Sequence, residues 1–439
     1  MLGMARSGIS AAYKIKELGG KVLLSDNQKQ ACIPKADQLL RDFDCEFGGH
    51  SEDLLACDCW IVSPGIPLDI PIIKQGKARG IRMISEIEFG FQIKAKDSKV
   101  IAVTGSNGKS TTASLVQHIL KRLGKKSILA GNIGDAFCSF PIHEPGIDYI
   151  VLEISSFQLD LIHSFAPDVS ILLNLTPDHL NRYRDFAHYC DSKMQIFRYQ
   201  SEQDFAILYK DSSEIAKRSN SISSQKLFFS AVDPQADAHQ DGKFIAIGDA
   251  NLSVYDLKIK GLHNQLNAMA ALLSVHALGL DTKKAMQACK SFRSLPHRLE
   301  FVDSINGVSF YNDSKATNTD SAKSALESFE HPIRIIMGGS DKGEDFNQIT
   351  AALQAHAKKA YIIGETTDKM RQAWLGKLPL DFFEDFELCV RSAFEDSTMG
   401  DSIVLSPACA SFDLFDNFEH RGDSFKAIVR KIKSEKEQA

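Results

Sequence analysis

Short apolar runs that end in glycine or small polar residues recur along the chain, and most are followed by a stretch with apolar residues three and four apart. The runs are KVLLSD (21–26), CDCWIVSPG (57–65), KVIAVTG (99–105), DYIVLEISS (148–156), DVSILLNLT (168–176), GVSFYND (307–313), IRIIMGG (333–339), KAYIIGE (359–365) and DSIVLSPA (401–408). Each reads as a strand buried on both faces, and the change to a 3.6-residue period after it reads as a helix. Repeated, the pattern predicts an α/β fold of parallel sheets covered by helices. In such sheets ligands bind outside the carboxyl ends of the strands, so the polar residues that close the runs are the first candidates for chemistry.

A length of 439 residues implies two or three domains, since a domain takes roughly 100 to 200. The charged stretch KAKDSKV (94–100) and the proline-interrupted RSLPHRLEFV (293–302) are the candidate junctions. They predict a Rossmann-like unit over 1–90, a central P-loop type parallel-sheet domain over 91–294 and a second Rossmann-like unit over 295–439. LGMARSGIS (2–10) has the form of a glycine turn opening a helix, yet one residue precedes Leu2, so the first unit is expected to lack its first strand. Asp26, closing the next run, stands where an acid often holds a ribose hydroxyl, but the G-x-G-x-x-G spacing is not met. A nicotinamide oxidoreductase therefore rests on weak grounds.

Composition narrows the classes. Hydrophobic residues at 44% and charged residues at 24% are ordinary for a soluble globular chain. No run reaches the ~18 apolar residues that a bilayer helix needs, so neither membrane insertion nor disorder is expected. A net charge of -5 and a pI near 6.2 supply no basic field for a nucleic-acid backbone. Nine scattered cysteines with no C-x-x-C pair and no secretory leader read as reduced thiols, and a cytoplasmic location follows as the expectation.

TGSNGKSTT (104–112) is the strongest chemical signal. It sits between the strand KVIAVTG and a helix-patterned stretch, with two residues between Gly105 and Gly108 where the common phosphate loop has four. Backbone N–H groups of such a turn converge on an anion at a helix N-terminus. Lys109 would neutralise phosphates, and Ser110 or Thr111 would face Mg2+. Glu153 ends the run YIVLE as a candidate metal carboxylate, and Asp178 and His179 lie at the lip of the run after it. Lys193 shares a helical stripe with Phe186, Tyr189, Cys190, Ile196 and Phe197. Either its stem is buried and its ammonium reaches water, or burial lowers the amine pKa and leaves a nucleophile able to take up CO2 as a carbamate.

Together with EISSFQL, NLTPDHL, the DSK helix, GLHNQLNAMAA, LPHRLE, NDSKATN and SPACASFDLF, these residues make the sequence resemble the Mur ligase family from residue 2 to about residue 432. The shortened loop is the form found there and in the related folylpolyglutamate synthetases. NDSKATN and SPACASFD resemble the D-glutamate-adding branch. The resemblance implies ATP phosphates on Gly105, Ser106, Asn107, Gly108, Lys109, Ser110 and Thr111, with Asn264, Asn267, Arg298 and Asp313 completing the ATP site. It implies two Mg2+ ions held by Ser110, Glu153, His179 and a carbamylated Lys193. It places the UDP-sugar substrate, UDP-N-acetylmuramoyl-L-alanine, on Arg6, Ser7, Asp26, Asn27, Ser63, Asn132 and His179, and D-glutamate on Lys315, Thr317, Lys342, Ser411 and Phe418. The implied protein is a monomer that joins the two substrates through an acyl phosphate, with Lys109, Glu153, His179 and Lys193 at the reacting centre. A folylpolyglutamate synthetase-like ligase and a P-loop NTPase of other function are the rival expectations.

Overall fold

The structure is a computed structural model that describes residues 1–178, 182–259 and 261–438. The chain divides into two compact units, one of Met1–Asp256 with Leu266–Ser291, the other of Leu257–Gln265 with the chain from Phe292 on. Among the described residues no helix is long and apolar enough to cross a membrane.

The first unit opens with two parallel pairs, β1 (Leu23–Asp26) on β2 (Asp44–Phe47) and β3 (Cys59–Ile61) on β4 (Arg82–Ile84). Leu2 bridges both, pairing in parallel with Ser25 and Val62. Its N–H donates to Ile61 O at 2.9 Å and its carbonyl accepts from Ser63 N at 2.9 Å, while Ser25 N donates to Met1 O at 3.0 Å. In place of the missing first strand a single fully buried residue, Leu2, forms an isolated bridge between β1 and the end of β3. The chain then turns at Gly3 into the helix Arg6–Glu17.

The rest of this unit is a nine-stranded sheet built from β5 (Lys99–Thr104), β6 (Ser127–Gly131), β7 (Tyr149–Glu153), β8 (Val169–Leu172), β9 (Phe205–Tyr209), β10 (Gln225–Ser230), β11 (Ala238–Asp241), β12 (Phe244–Ile247) and β13 (Ala250–Ser253). The order is β13-β12-β11-β10-β9-β8-β5-β7-β6, parallel except for the β11–β12–β13 meander at one edge. β5 lies inside, flanked by β7 and β8. From it the chain winds first to β6 on one side and later to β8 and β9 on the other. That reversal of strand order is where an open α/β sheet leaves a crevice at its carboxyl edge. β5, β7 and β8 are buried almost throughout, which accounts for their unbroken apolar sequence.

The second unit holds a six-stranded sheet of β14 (Glu300–Ile305), β15 (Val308–Asn312), β16 (Ile333–Met337), β17 (Ala357–Ile363), β18 (Leu380–Phe383) and β19 (Ser402–Leu405). Its order is β14-β15-β19-β16-β17-β18, with β14 antiparallel to β15 and the others parallel. Cores lie on both of its faces, one around Trp374 and Phe346, the other around Phe310, Tyr361 and Phe425.

Candidate active site

At the carboxyl end of β5 the chain turns through Gly105 and Gly108 into the helix Lys109–Arg122. Gly108 caps that helix at φ +85°, and a Cβ there would lie 2.3 Å from Asn267 Oδ1. Only glycine tolerates both constraints. The short turn is braced by the segment after β8. Asn107 N donates to Asn174 Oδ1 at 2.8 Å, and Asn174 Nδ2 returns a bond to Asn107 O at 3.1 Å. Ser106 Oγ donates to Thr176 O at 2.8 Å, accepts from Thr176 N at 2.9 Å and lies 3.0 Å from Tyr189 Oη. Lys109 Nζ folds back on the loop carbonyls of Gly105 and Ser106, at 2.8 and 2.7 Å. Ser110 and Thr111 are buried in the first helical turn.

Glu153 closes β7, 2% exposed. Its Oε1 accepts from Asn132 Nδ2 at 2.7 Å, while its buried Oε2 has no hydrogen-bond partner among the described residues. A buried carboxylate oxygen left bare costs free energy unless something binds it. Asn132 N donates to Glu153 O at 2.8 Å, so the amide expected on the sugar substrate and the expected metal carboxylate share one strand edge.

Lys193 lies in the helix Phe186–Met194 and is 2% exposed. The snorkelling reading fails, because the residue is almost completely buried. Its Nζ sits 4.8 Å from the Tyr189 ring centroid. Burial pushes the ammonium well below its ordinary range, the Lys109 cation adds to that, and Asp178, Cys190 and Glu153 oppose it. Lys193 therefore belongs to the same electrostatic neighbourhood as the loop lysine and the β7 carboxylate. His179 lies outside the described residues, and with it the test of its place as ligand, acid or base. The sequence reading missed the polar network under this helix. Ser192 Oγ donates to Asp160 Oδ1 at 2.6 Å and to Ser156 O at 3.1 Å, and Tyr183 Oη donates to Asp160 Oδ2 at 3.3 Å.

Near the chain start a cavity of about 750 Å³ is lined by Met4, Arg6, Lys14, Asp26, Lys35 and Cys138, among others. Of the residues expected on the UDP-sugar, Arg6 and Asp26 face it. Asp26 is also structural, since its Oδ2 accepts from Met4 N at 2.7 Å and its Oδ1 from Gln28 N at 2.9 Å, fastening the glycine turn. Ser7 is half-buried and Asn27 exposed. Ser63 packs beneath the turn, donating to Gly3 O at 3.2 Å. Arg6 donates to Gly134 O, drawing the loop after Asn132 toward the cavity. Beside it Glu86, also unforeseen, accepts from Cys138 N at 2.6 Å, and burial pushes its carboxyl up to about 7, with the Arg6 cation opposing.

In the second unit, Lys315 Nζ stands 3.6 Å from the Phe418 ring centroid, and Ser411 is buried. Thr317 is half-buried and Lys342 exposed. Asp313 is buried and accepts from Ser406 Oγ at 2.9 Å and Leu299 N at 3.1 Å. Burial pushes its carboxyl up to about 7 against those bonds and the cations Arg298 and Arg421. Arg298 is flanked by His297 and Leu299, both at positive φ (63° and 42°), an arrangement that costs of order 1–3 kcal/mol per residue. Asn264 and Asn267 are buried on one helix, Leu262–Ala277, Asn264 in the second unit and Asn267 in the first.

Three family models match in succession: the Mur ligase MurD-like N-terminal domain over 1–85, the Mur ligase middle domain over 103–275 and the Mur ligase glutamate ligase domain over 297–409. The chain belongs to the Mur ligase family. It is 37% identical to the UDP-N-acetylmuramoylalanine–D-glutamate ligase of Alkaliphilus oremlandii, covering 99% of this chain and 98% of that one. It is 40% identical to the enzyme of the same name from Cytophaga hutchinsonii, covering 98% of each. Among solved structures it shares its fold with MurC of Thermotoga maritima, at TM-score 0.63 and 19% identity over 99% of this chain and 98% of that one. MurF of Thermotoga maritima, solved in complex with ADP, follows at 0.62 and 15%, over 88% and 97%. The Mur ligase middle domain takes in the loop, Glu153, Lys193, Asn264 and Asn267, and the glutamate ligase domain takes in Arg298, Asp313, Lys315, Thr317 and Lys342. Ser411 and Phe418 lie beyond the latter match.

Proposed function

We propose that the chain joins D-glutamate to UDP-N-acetylmuramoyl-L-alanine at the expense of ATP, a step of peptidoglycan precursor synthesis, as a cytoplasmic monomer. The domains would be 1–90 for the UDP-sugar, 91–294 for ATP and 295–439 for the amino acid. The observation that carries the reading is the braced turn at 105–108 with Glu153 and the wholly buried Lys193 beside it. The names of the full-length relatives support the choice of substrates.

A carboxylate resists attack by an amine until one oxygen becomes a leaving group. Phosphoryl transfer from ATP to the alanyl carboxylate forms an O–P bond, breaks the bond between the β,γ-bridging oxygen and the γ-phosphorus and releases ADP. The amine of D-glutamate then adds to the acyl carbon, loses a proton and expels phosphate. Both anions of the first step must approach each other, so positive potential has to be fixed in advance. The turn supplies backbone N–H groups at a helix N-terminus, and Lys109 can exchange the carbonyls of Gly105 and Ser106 for phosphate oxygens. The bare Glu153 Oε2 and the buried Ser110 hydroxyl fit a hard cation. Mg2+ at those groups would neutralise phosphate charge. A neutral Lys193 amine adding to CO2 yields a carbamate and releases one proton, adding oxygens to the same donor set. Asn132 would orient the muramoyl part while holding Glu153. Lys315 and Lys342 would meet the carboxylates of D-glutamate.

Phosphate release measured with ATP, UDP-N-acetylmuramoyl-L-alanine and one amino acid at a time tests this. D-glutamate alone should support turnover. Equal rates with L-glutamate or meso-diaminopimelate, or release with no amino acid, would overturn it; L-glutamate acting on a folate would point to the folylpolyglutamate class.

A further inference from the structure

Arg421 is placed where electrostatics disfavour it. It lies in the first turn of the helix Phe418–Gln438, where the macrodipole repels a cation, and it is 2% exposed. Its hydrogen bonds go to three carbonyls and one hydroxyl rather than to a carboxylate. Nε donates to Ser314 Oγ at 2.9 Å, Nη2 to Ser314 O at 2.9 Å and to Cys409 O at 3.0 Å, and Nη1 to Ala410 O at 3.0 Å. Desolvation of an arginine without a bonded counter-charge opposes stability, so its worth should lie in what it holds together.

We infer that Arg421 is the positioning residue of the acceptor amino-acid pocket, one guanidinium that sets the spacing of the loops bearing Lys315, Thr317, Lys342 and Ser411 and of the helix start bearing Phe418. This rests on the proposed role of those five side chains. Ser314 begins the loop of Lys315 and Thr317, and its Oγ, besides accepting from Arg421, donates to Phe418 O at 2.8 Å. That fixes the backbone beneath the ring over which Lys315 Nζ stands at 3.6 Å. Cys409 and Ala410 immediately precede Ser411. The Ala410 carbonyl accepts a second bond, from Ser340 N at 2.9 Å, two residues before Lys342. Gly339 permits that approach: at φ +141°, a Cβ there would sit 2.1 Å from Ala410 O and 3.0 Å from Arg421 Nη1. On the far side Asp413 accepts from Glu365 N at 3.0 Å and Ser340 Oγ at 3.3 Å. A planar, rigid fork can hold four acceptors on two segments in fixed directions; a lysine ammonium cannot.

Phosphate release by the full-length wild type and by Arg421→Lys, Arg421→Ala and Ser314→Ala, with each substrate varied in turn, tests the inference. The wild type should use D-glutamate; if it uses no amino acid, the functional reading falls before any variant is compared, and the inference falls with it. Arg421→Lys should raise KM for D-glutamate at least tenfold while KM for ATP and for the UDP-sugar stays within twofold. Millimolar guanidinium should restore part of the lost affinity in Arg421→Ala, and methylammonium should not. Ser314→Ala should raise the same KM by a smaller factor, and it decides the matter should neither Arg421 variant fold. An unchanged D-glutamate KM, or a rise shared equally by all three substrates, overturns the inference.

Discussion

Asp313→Asn should make the second unit more stable at alkaline pH while weakening the enzyme. In the fold this carboxyl titrates near 7 instead of the ordinary 3.8, because burial penalises its charge more than Ser406, Leu299, Arg298 and Arg421 compensate. The sign follows from linkage: an acid with a raised folded pKa stabilises below its unfolded pKa and loses that contribution as pH rises to the folded one. The displacement of about three pH units, at about 1.4 kcal/mol each, comes to about 4 kcal/mol in full. About 3 kcal/mol of it falls between pH 5 and pH 8. Asparagine keeps the geometry, since its oxygen can accept from Leu299 N and its amide can donate to Ser406 Oγ. Urea unfolding should be followed through Trp374 in a Trp60→Phe background, which confines the signal to the second unit, and repeated from pH 5 to pH 8. The stability gap between Asn and Asp should widen in favour of Asn by about 3 kcal/mol over that range, while KM for ATP rises. A gap that is the same at pH 5 and pH 8 refutes the reasoning, because Asp313 would then be ionised in both states.

Lys193→Ala should cut kcat by roughly a hundredfold or more, and millimolar formate or acetate should recover part of it; an unaffected variant, or one rescued by methylamine instead, removes the carbamate. Gly108→Ala should raise KM for ATP about tenfold, since φ +85° alone costs about 1–2 kcal/mol and the new methyl group meets Asn267 Oδ1. Isothermal titration with an ATP analogue checks it, and unchanged affinity would show that the turn does not hold phosphate.

The strand, turn and helix around Gly105 and Gly108 were legible because the signal is contiguous: an apolar run, two glycines and a helix pattern within some twenty residues. What braces the turn was not, since Asn174, Thr176 and Tyr189 lie 67 to 83 residues away and their pairing is set by β8 lying beside β5. The Lys193 stripe announced a lysine among apolar neighbours, but periodicity cannot separate a snorkelling stem from a buried head; depth decides that. Strands such as β11 (AHQD) and β13 (ANLS) carry no apolar run and exist through the hairpin register that pairs them with β12. β9 (FAILY) is as apolar as the strands foreseen and was overlooked. Glu86 and Arg421 could not be anticipated, because charged residues in a first helical turn read as solvated by default. Asp26, expected on the UDP-sugar, lines a cavity, and its hydrogen bonds go to the turn that forms the wall.

Around the turn at 105–108, the charges of Lys109, Lys193 and Glu153 bear on the carbamate expected at Lys193. Lys109 donates to two carbonyls of its own loop, which orients the ammonium. Lys193 is sealed from water within the field of that cation, and like charges at low local dielectric repel strongly. The nearby Glu153 has one oxygen committed to Asn132 and one without a hydrogen-bond partner among the described residues, and with Asp178 and Cys190 it opposes the effect of burial and of Lys109 on the Lys193 amine. An ammonium at Lys193 would therefore add charge where solvent cannot screen it, whereas a carbamate would reverse the sign and turn repulsion from Lys109 into attraction. The same reversal would bring a second set of oxygens toward Glu153 Oε2, a disposition that favours a divalent cation between them. On this reading the loss of Lys193 and the loss of Glu153 should not be additive, because each removes the reason the other is tolerated in the core.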